Sequence, residues 1–229
     1  MTSHRVDFTV SSDADLSVAD AGEAIMLGVS PFNGFYRPAT VEILVGWAAE
    51  RFQHVYVLLA GPEAAQRFIS RGQTPRRAVA KVKTAVHQQR RAACRALAVS
   101  GCSDPNSYVL VWTRLASSPR YQSLRLSAAD AYATVPPVRD MIRSMVSDAV
   151  APGADKPPPS EAIEANAPYV LAETPILVDA PRILGHDTTV FAYHQHMPLH
   201  ELLATGVVPA LKPAPGQVCA RLTLQGVAP

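Results

Sequence analysis

One serine, Ser30, stands where the chain could place a nucleophile. The apolar run 24–27 has the length of a strand, and it leads through Gly28-Val29-Ser30 into a turn that contains Pro31 and Gly34. The hydroxyl therefore follows the carboxyl end of a strand, the edge at which open parallel sheets bind their ligands. Ser30 is the candidate nucleophile. The alternative is a serine that only bonds within a turn, which is the commoner role of an isolated Gly-x-Ser.

Tyr169 and Glu173 form a second candidate pair. They are four residues apart in a segment with helical spacing, so a phenol and a carboxylate would lie on the same face of a helix. The neighbouring runs 170–172 and 176–178 are apolar. A carboxylate on such an inner face needs a partner, and the ammonium group of a substrate would supply one. The alternative is a core tyrosine beside a surface acid.

Positive charge is concentrated in the middle of the chain. Residues 64–129 contain twelve Lys or Arg and one acid, a net charge of +11, whereas the whole chain has +2. Within this region, residues 76–99 have the periodicity of an amphipathic helix that contains no acid. The polar face of that helix carries Arg76, Arg77, Lys83, His87, Arg90, Arg91 and Arg95. Because an all-positive face repels itself, the pattern favours a bound nucleic acid or other phosphate polymer over an ordinary solvated helix face.

The sequence carries no recognisable motif for a nucleotide cofactor. It has neither the phosphate-binding G-x-x-x-x-G-K-[ST] nor the dinucleotide-binding G-x-G-x-x-G, so we expect no cofactor and no ATP. His194, His196 and His200 have near-ligand spacing. The chain turns at Pro198, between the second and third of them, and we expect no metal site.

The surrounding pattern predicts a single α/β domain over residues 1–229 with a mostly parallel central sheet. Strand 24–27, helix 38–52 and strand 54–59 form a right-handed βαβ unit. Further strands are predicted at 107–112, 188–193 and 217–224, and further helices at 62–70, 76–99, 117–134, 138–150, from 160 onward and 199–203. Pro168 is expected to kink the helix that begins at 160. Residues 1–20 form a poorly defined segment, in which the apolar alternation at 6–10 is typical of an edge strand. The proline-rich loop 151–159 is expected to be mobile.

Composition predicts a cytoplasmic protein. Its three cysteines, Cys94, Cys102 and Cys219, show no C-x-x-C pattern, which is typical of a reducing compartment. The amino terminus lacks the apolar core of a signal peptide, and no run of about 18 apolar residues occurs. We expect a monomer that does not associate with membranes.

Taken together, these motifs resemble the cyclodipeptide synthase family. The resemblance rests on Gly28-Val29-Ser30 followed by Asn33, on Tyr169-Val-Leu-Ala-Glu173, and on Ala192-Tyr193-His194 after a strand, in the order and roughly the spacing of that family. It extends from about residue 25 to 203. Through Asn33, the chain resembles the subfamily that carries asparagine at this position. Many members of that subfamily have Gln where this chain has His194.

The resemblance implies a Rossmann-like fold akin to the catalytic domains of tyrosyl- and tryptophanyl-tRNA synthetases, and a reaction that converts two aminoacyl-tRNAs into a 2,5-diketopiperazine without ATP. Ser30 would attack the first aminoacyl ester, and Tyr169 and Glu173 would hold its amino group, with Glu173 also able to deprotonate the incoming amine. Tyr193 would relay protons during cyclisation. The resemblance also implies that the site is positioned by Asn33, Tyr121 and His194. Gly28 would leave room for the substrate backbone.

The same resemblance implies how the substrates are bound. The tRNA phosphates would contact Lys83, Arg90, Arg91 and Arg95. The pocket for the first amino acid would be lined by Met26, Val55, Val57, Trp112, Ile176 and Phe191. Two of these side chains are bulky, which favours an aliphatic residue such as Leu over Trp or Tyr, and an apolar pocket separates similar residues by only about 1–3 kcal/mol. Tailoring enzymes would act on the released product.

Two other functions fit parts of the sequence. A non-catalytic tRNA-binding module would use the basic helix but not Ser30. A serine hydrolase of small esters would use Ser30 but not the basic helix.

Overall fold

The computed structural model describes residues 5–10, 13–152 and 156–225, and its centre is a six-stranded sheet. The strands are β1 (Arg5–Val10), β2 (Ala24–Val29), β3 (His54–Leu59), β4 (Val109–Val111), β5 (Thr189–Tyr193) and β6 (Gln217–Gln225). Their order is β1-β6-β5-β2-β3-β4. Only the pairing of β1 with β6 is antiparallel, and the other neighbours run parallel. The predicted mostly parallel α/β sheet is therefore confirmed.

Helices cover both faces of the sheet. They are α1 (Asp13–Asp20), α2 (Pro38–Ala49), α3 (Gln66–Ile69), α4 (Pro75–Val99), α5 (Pro105–Tyr108), α6 (Trp112–Leu115), α7 (Pro119–Thr134), α8 (Pro136–Val150), α9 (Ser160–Leu184) and α10 (Pro198–Ala204), with 3₁₀ turns at Pro62–Ala65 and Pro209–Leu211. One buried cluster joins α2 and α4 to the sheet, and a second joins α7, α8 and α9 to its other face. Most of the longer helices start with proline, whose fixed φ suits the first turn.

The structure departs from the predicted elements at one strand and in the amino-terminal segment. The strand predicted at 107–112 narrows to β4, because residues 105–108 form a helical turn and Trp112 begins α6. The amino-terminal segment contains not only the edge strand β1 but also α1, which the sequence analysis did not predict. The mobile loop predicted at 151–159 stays a prediction, and residues 153–155 of it lie outside the described residues.

Helix α9 breaks at Asp179 rather than at Pro168. Backbone angles remain helical past Pro168 and depart from helical values at Asp179, where φ is −155° and ψ is 51°. The Asp179 side chain is fully buried, and its Oδ2 accepts a hydrogen bond from Arg120 Nε at 2.6 Å. Arg182 Nη1 lies 3.4 Å from the same oxygen. The break therefore places a buried carboxylate against a guanidinium of α7.

Replacing Arg120 with methionine is expected to lower the free energy of unfolding by about 2–4 kcal/mol, because removing one partner leaves the Asp179 charge buried and poorly compensated. The expected loss of stability is slightly below the usual cost of breaking a buried ion pair, because 38% of the Arg120 side chain is exposed and Arg182 remains nearby. Urea unfolding measures the change. Arg182→Met is the matched control, and its more exposed, more distant guanidinium should cost less than about 1 kcal/mol. Equal losses for the two variants would contradict this assignment.

Candidate active site

The predicted nucleophile lies at the switch point of the sheet. Ser30 directly follows β2, and Tyr193 ends the neighbouring strand β5. From β2 the sheet continues to β3 and β4 on one side and to β5 and β6 on the other. The crevice outside the carboxyl ends of the strands opens where the strand order reverses in this way.

Four of the predicted site residues meet at this edge: Ser30, Tyr169, Glu173 and Tyr193. All four line a cleft of about 550 Å³ that opens between α8, α9 and the loop after β5. All four also line a cavity of about 30 Å³ that lies behind them and is closed by Trp112, Leu58 and Ala60. The four side chains thus form a wall between a large cleft and a small cavity.

Burial controls the protonation of this wall. It raises the pKa of the Glu173 carboxyl to about 7. It also raises the pKa of Tyr169 and Tyr193 well above the usual range, and the charge of Glu173 adds to both effects. The Ser30 side chain shares hydrogen bonds with both phenols, which opposes these shifts. At neutral pH the site therefore holds two neutral phenols and a carboxyl group that can gain or lose a proton.

Gln89, which the sequence analysis missed, fixes the backbone of the nucleophile. It is buried on α4, and its Nε2 donates to the carbonyl oxygens of Ser30 at 3.2 Å and Tyr36 at 3.3 Å. The signal in the sequence was a polar residue within the apolar stripe of α4, between Val82 and Ala96. The basic helix and the Ser30 loop are therefore joined directly.

Asn33 and His194 support each other at the rim of the cleft. Asn33 Nδ2 donates to His194 Nε2 at 2.9 Å, and Asn33 Oδ1 accepts from the Phe35 amide at 2.9 Å. Burial, followed by the charge of Arg221, lowers the pKa of His194 to about 4, so the ring is neutral and its Nε2 accepts. Asn33 lines the cleft, whereas His194 lines neither space. In this arrangement His194 orients Asn33.

Gly28 makes room for aromatic rings. A Cβ atom placed there would lie 2.8 Å from Phe191 Cζ and 3.2 Å from Tyr193 Cδ2. Gly28 also lines the small cavity. The absence of a side chain therefore lets Tyr193 reach the site, a role beyond the predicted room for substrate.

The prediction that Val55 and Val57 line the first pocket is wrong. Met26 pairs with Tyr56, so Val55 and Val57 point with Ile25 and Leu27 to the opposite face of the sheet. Leu58 and Ala60 lie on the site face instead and line the small cavity.

The other predicted pocket residues do lie on the site side of the sheet. Trp112 lines the small cavity, and Phe191 lines the large cleft. Met26 and Ile176 are fully buried in the same cluster and line neither space. They support the site from below.

Tyr121 acts on the site through α9. It is fully buried, and its hydroxyl donates to the carbonyl oxygen of Ala172 at 2.9 Å. Ala172 immediately precedes Glu173, whereas Tyr121 lines neither space. Its contact therefore holds the backbone that carries the carboxylate.

The basic face of α4 is partly engaged by neighbouring elements. Lys83 and Arg91 are exposed. Arg90 Nη2 donates to Asn106 Oδ1 at 3.1 Å, and Arg95 pairs with Glu42 of α2 at 2.5 Å. The helix has no acid of its own, but α2 supplies one.

The three histidines considered as metal ligands have separate partners. His194 accepts from Asn33, His196 lies 2.6 Å from Glu201, and His200 Nδ1 donates to the Leu177 carbonyl at 3.0 Å. Within residues 5–10, 13–152 and 156–225, no group of three potential ligands is arranged to hold a metal ion.

Fold and site define a Rossmann-like α/β enzyme with a serine at the switch point of its sheet. A profile of the cyclodipeptide synthase family matches residues 8–223. A cyclo(L-leucyl-L-leucyl) synthase from Bacillus subtilis is 33% identical over 187 residues, which cover 79% of this chain and 74% of that protein. This chain therefore belongs to the cyclodipeptide synthase family.

Other relatives agree with this assignment. A cyclo(L-leucyl-L-phenylalanyl) synthase from Streptomyces noursei is 25% identical over 88% of this chain and 85% of its own length. The crystal structure of a cyclodipeptide synthase from Bacillus thermoamylovorans superposes with a TM-score of 0.88 at 23% identity, covering 95% of this chain and 96% of that one. Tyrosyl-tRNA synthetase from Archaeoglobus fulgidus shares the fold more distantly, with a TM-score of 0.52 at 18% identity over 93% of this chain and 59% of its own.

Within the described part of the chain, no helix is both long and apolar enough to cross a membrane.

Proposed function

We propose that this enzyme takes two aminoacyl-tRNAs and releases a 2,5-diketopiperazine, through an aminoacyl ester on Ser30. The observation that carries the proposal is the meeting of Ser30, Tyr169, Glu173 and Tyr193 in one wall between a small cavity and a large cleft. A cleft of about 550 Å³ beside one nucleophile suits a reaction that stores one amino acid as an ester while a second enters.

In the first half-reaction, Ser30 Oγ attacks the ester carbonyl of the first aminoacyl-tRNA. The bond to the tRNA ribose oxygen breaks, that oxygen takes a proton, and the tRNA leaves. Covalent storage divides a difficult transfer into two steps. Gln89 supports this step because it fixes the Ser30 carbonyl, and the shared hydrogen bonds with Tyr169 and Tyr193 orient the hydroxyl.

In the second half-reaction, the amine of the second aminoacyl group attacks the Ser30 ester and frees the serine. The amine of the first residue then attacks the remaining tRNA ester, which closes the ring and releases the second tRNA. Glu173 is suited to hold or deprotonate these amines, because its pKa of about 7 is close to that of an α-amino group. Tyr193 lies where a proton could be relayed to the leaving oxygen.

The basic face of α4 supports tRNA as the carrier. It supplies the exposed cations Lys83 and Arg91, with Arg90 and Arg95 beside them, and a direct contact links this helix to the Ser30 loop through Gln89. Cations bind phosphates without reading the amino acid. The helix can therefore serve both substrates, and ATP is not needed because the ester bond already activates the amino acid.

The apolar lining beside Ser30 supports leucine as the first amino acid. Leu58, Ala60 and Trp112 give this end of the site apolar walls, and the bulk of Trp112 leaves less room for an indole than for an aliphatic side chain. Both named relatives described above make leucine-containing products.

The test is incubation of the purified protein with leucyl-tRNA. Mass spectrometry should detect cyclo(Leu-Leu) in solution and, on the intact protein, one leucyl group attached at Ser30. All aminoacyl-tRNAs should also be offered together. If products that contain Trp or Tyr then dominate, the leucine assignment is contradicted but the rest of the proposed function is not. Binding of tRNA with neither adduct nor product would favour the non-catalytic module.

A serine hydrolase predicts a different result. It would turn over a model ester without tRNA, and neutralising Arg90 and Arg91 would leave its rate unchanged. The proposed synthase should instead lose activity with aminoacyl-tRNA when these two cations are replaced by glutamine.

A further inference from the structure

The residue two positions after the nucleophile has an unusual backbone. Phe32 has φ of 65°, and among residues 5–10, 13–152 and 156–225 it is the only residue other than glycine with a positive φ. This left-handed conformation is unfavourable for a bulky residue and natural for glycine or asparagine. Strain of this kind persists at functional sites, where the side chain is needed.

The Phe32 ring is also one of the few large apolar side chains that are exposed. It is 37% exposed and lines the mouth of the large cleft. Its centroid lies 4.7 Å from that of Phe68 in an edge contact. The ring is thus held in place by one neighbour while part of its surface faces the cleft.

One cation stands beside this ring, and a second lines the same cleft. Lys81 Nζ, from the basic helix α4, lies 5.4 Å from the Phe32 centroid and 4.3 Å from that of Phe68. Arg67 lines the same cleft, and its buried Nε has no hydrogen-bond partner among the described residues. An exposed aromatic ring beside cations is an arrangement that proteins use to bind single-stranded nucleic acid, since bases stack on the ring and phosphates face the charges.

Distance restricts which part of a tRNA could reach Phe32. The amino acid is esterified to the terminal nucleotide, so that nucleotide must lie next to Ser30 when the ester is attacked. Two residues span at most about 7 Å, so Phe32 is within one nucleotide of the reacting ester. The 3′ end of a charged tRNA is unpaired, and its bases are free to stack.

We propose that Phe32 is the stacking platform for the unpaired 3′-terminal adenosine of the aminoacyl-tRNA, with Lys81 and Arg67 facing the adjoining phosphates. The inference rests on the proposed function, because it needs a tRNA-borne substrate. It adds a nucleotide contact at the mouth of the cleft, separate from the outer face of α4.

The test measures binding of uncharged tRNA, intact or lacking its terminal adenosine, at one fixed salt concentration. Wild-type protein should bind the trimmed tRNA about tenfold more weakly, an effect within the range of one base stacked on an aromatic ring. Phe32→Asn should bind intact tRNA about tenfold more weakly than wild type and barely distinguish the two tRNAs. Asparagine tolerates the left-handed backbone, which offsets the lost edge contact with Phe68, so this variant should still fold.

Phe32→Tyr, which keeps the ring, is the matched control and should retain the preference for intact tRNA. The inference is overturned, and the proposed function kept, if wild type binds tRNA but Phe32→Asn shows the same preference for the terminal adenosine. A changed ratio of diketopiperazine products with unchanged tRNA binding would also overturn it, because the ring would then contact an amino-acid side chain. If wild type binds neither tRNA, the proposed function fails together with this inference.

Discussion

Diketopiperazine formation is expected to fall by about 10³-fold or more when Ser30 is replaced by alanine, since removing the nucleophile of a covalent mechanism costs at least this much. The leucyl adduct on the intact protein should disappear completely. Affinity for tRNA should not change, because the proposed tRNA contacts come from α4, Arg67 and Phe32 and not from the Ser30 side chain.

An exposed serine provides the control for this variant. Ser123 lies on the outer side of α7, and Ser123→Ala should retain full activity. Product formed by Ser30→Ala at more than a few per cent of the wild-type rate would eliminate the covalent intermediate, although the family assignment would remain.

The second large effect is expected at Glu173. Replacing it with glutamine should lower the rate of the second half-reaction, in which the amine of the second substrate attacks the Ser30 ester, by about 10²- to 10⁴-fold, the range of general acid–base catalysis. In wild type, this single-turnover rate should rise with pH through about 7, because the carboxyl is protonated below its raised pKa and ionised above it. The rise should be absent from the pH profile of Glu173→Gln. The substrate amine also titrates near neutral pH, but it is the same in both proteins, so the difference between the profiles reports Glu173.

Stability supplies an independent readout for this variant. The Glu173 pKa is raised above its unfolded value, so the unfolded chain loses this proton at lower pH than the native protein does. The free energy of unfolding of wild type should therefore fall as pH rises from about 4.5 to 7, relative to Glu173→Gln. Above pH 7 the glutamine variant should be the more stable protein. A variant that is less stable and less active would indicate a structural role instead.

The strands and helices with strong local signals were predictable. Strand β3 is a short β-branched run closed by Gly61-Pro62, and α4 combines a proline at its first turn with a long apolar stripe. The site was predictable in outline because Ser30 follows a strand and Tyr169 and Glu173 are one helical turn apart. These features depend on residues close together in the chain.

Features that depend on distant partners were not predictable. The face on which Val55 lies is set by the register Met26↔Tyr56, and a one-residue change of register would reverse it. The break in α9 has a similar cause. The Ala180 amide donates to Gln217 Oε1 at 2.7 Å, and Asp179 meets Arg120, so the broken turn is compensated by α7 and β6. The presence of Pro168 predicted a kink there, several helical turns before the break observed at Asp179.

The wall of Ser30, Tyr169, Glu173 and Tyr193 has a consequence for changing what the enzyme makes. The back of the small cavity is built from β3 and the start of α6, whereas the far side of the large cleft is built from α8 and the loop after β5. Because the four residues of the wall are the only described residues that line both spaces, the two halves of a mixed product could be redesigned one at a time. Enlarging the cavity at Trp112 and reshaping the cleft at Met145 should then combine additively, giving a set of asymmetric rings from a small number of variants.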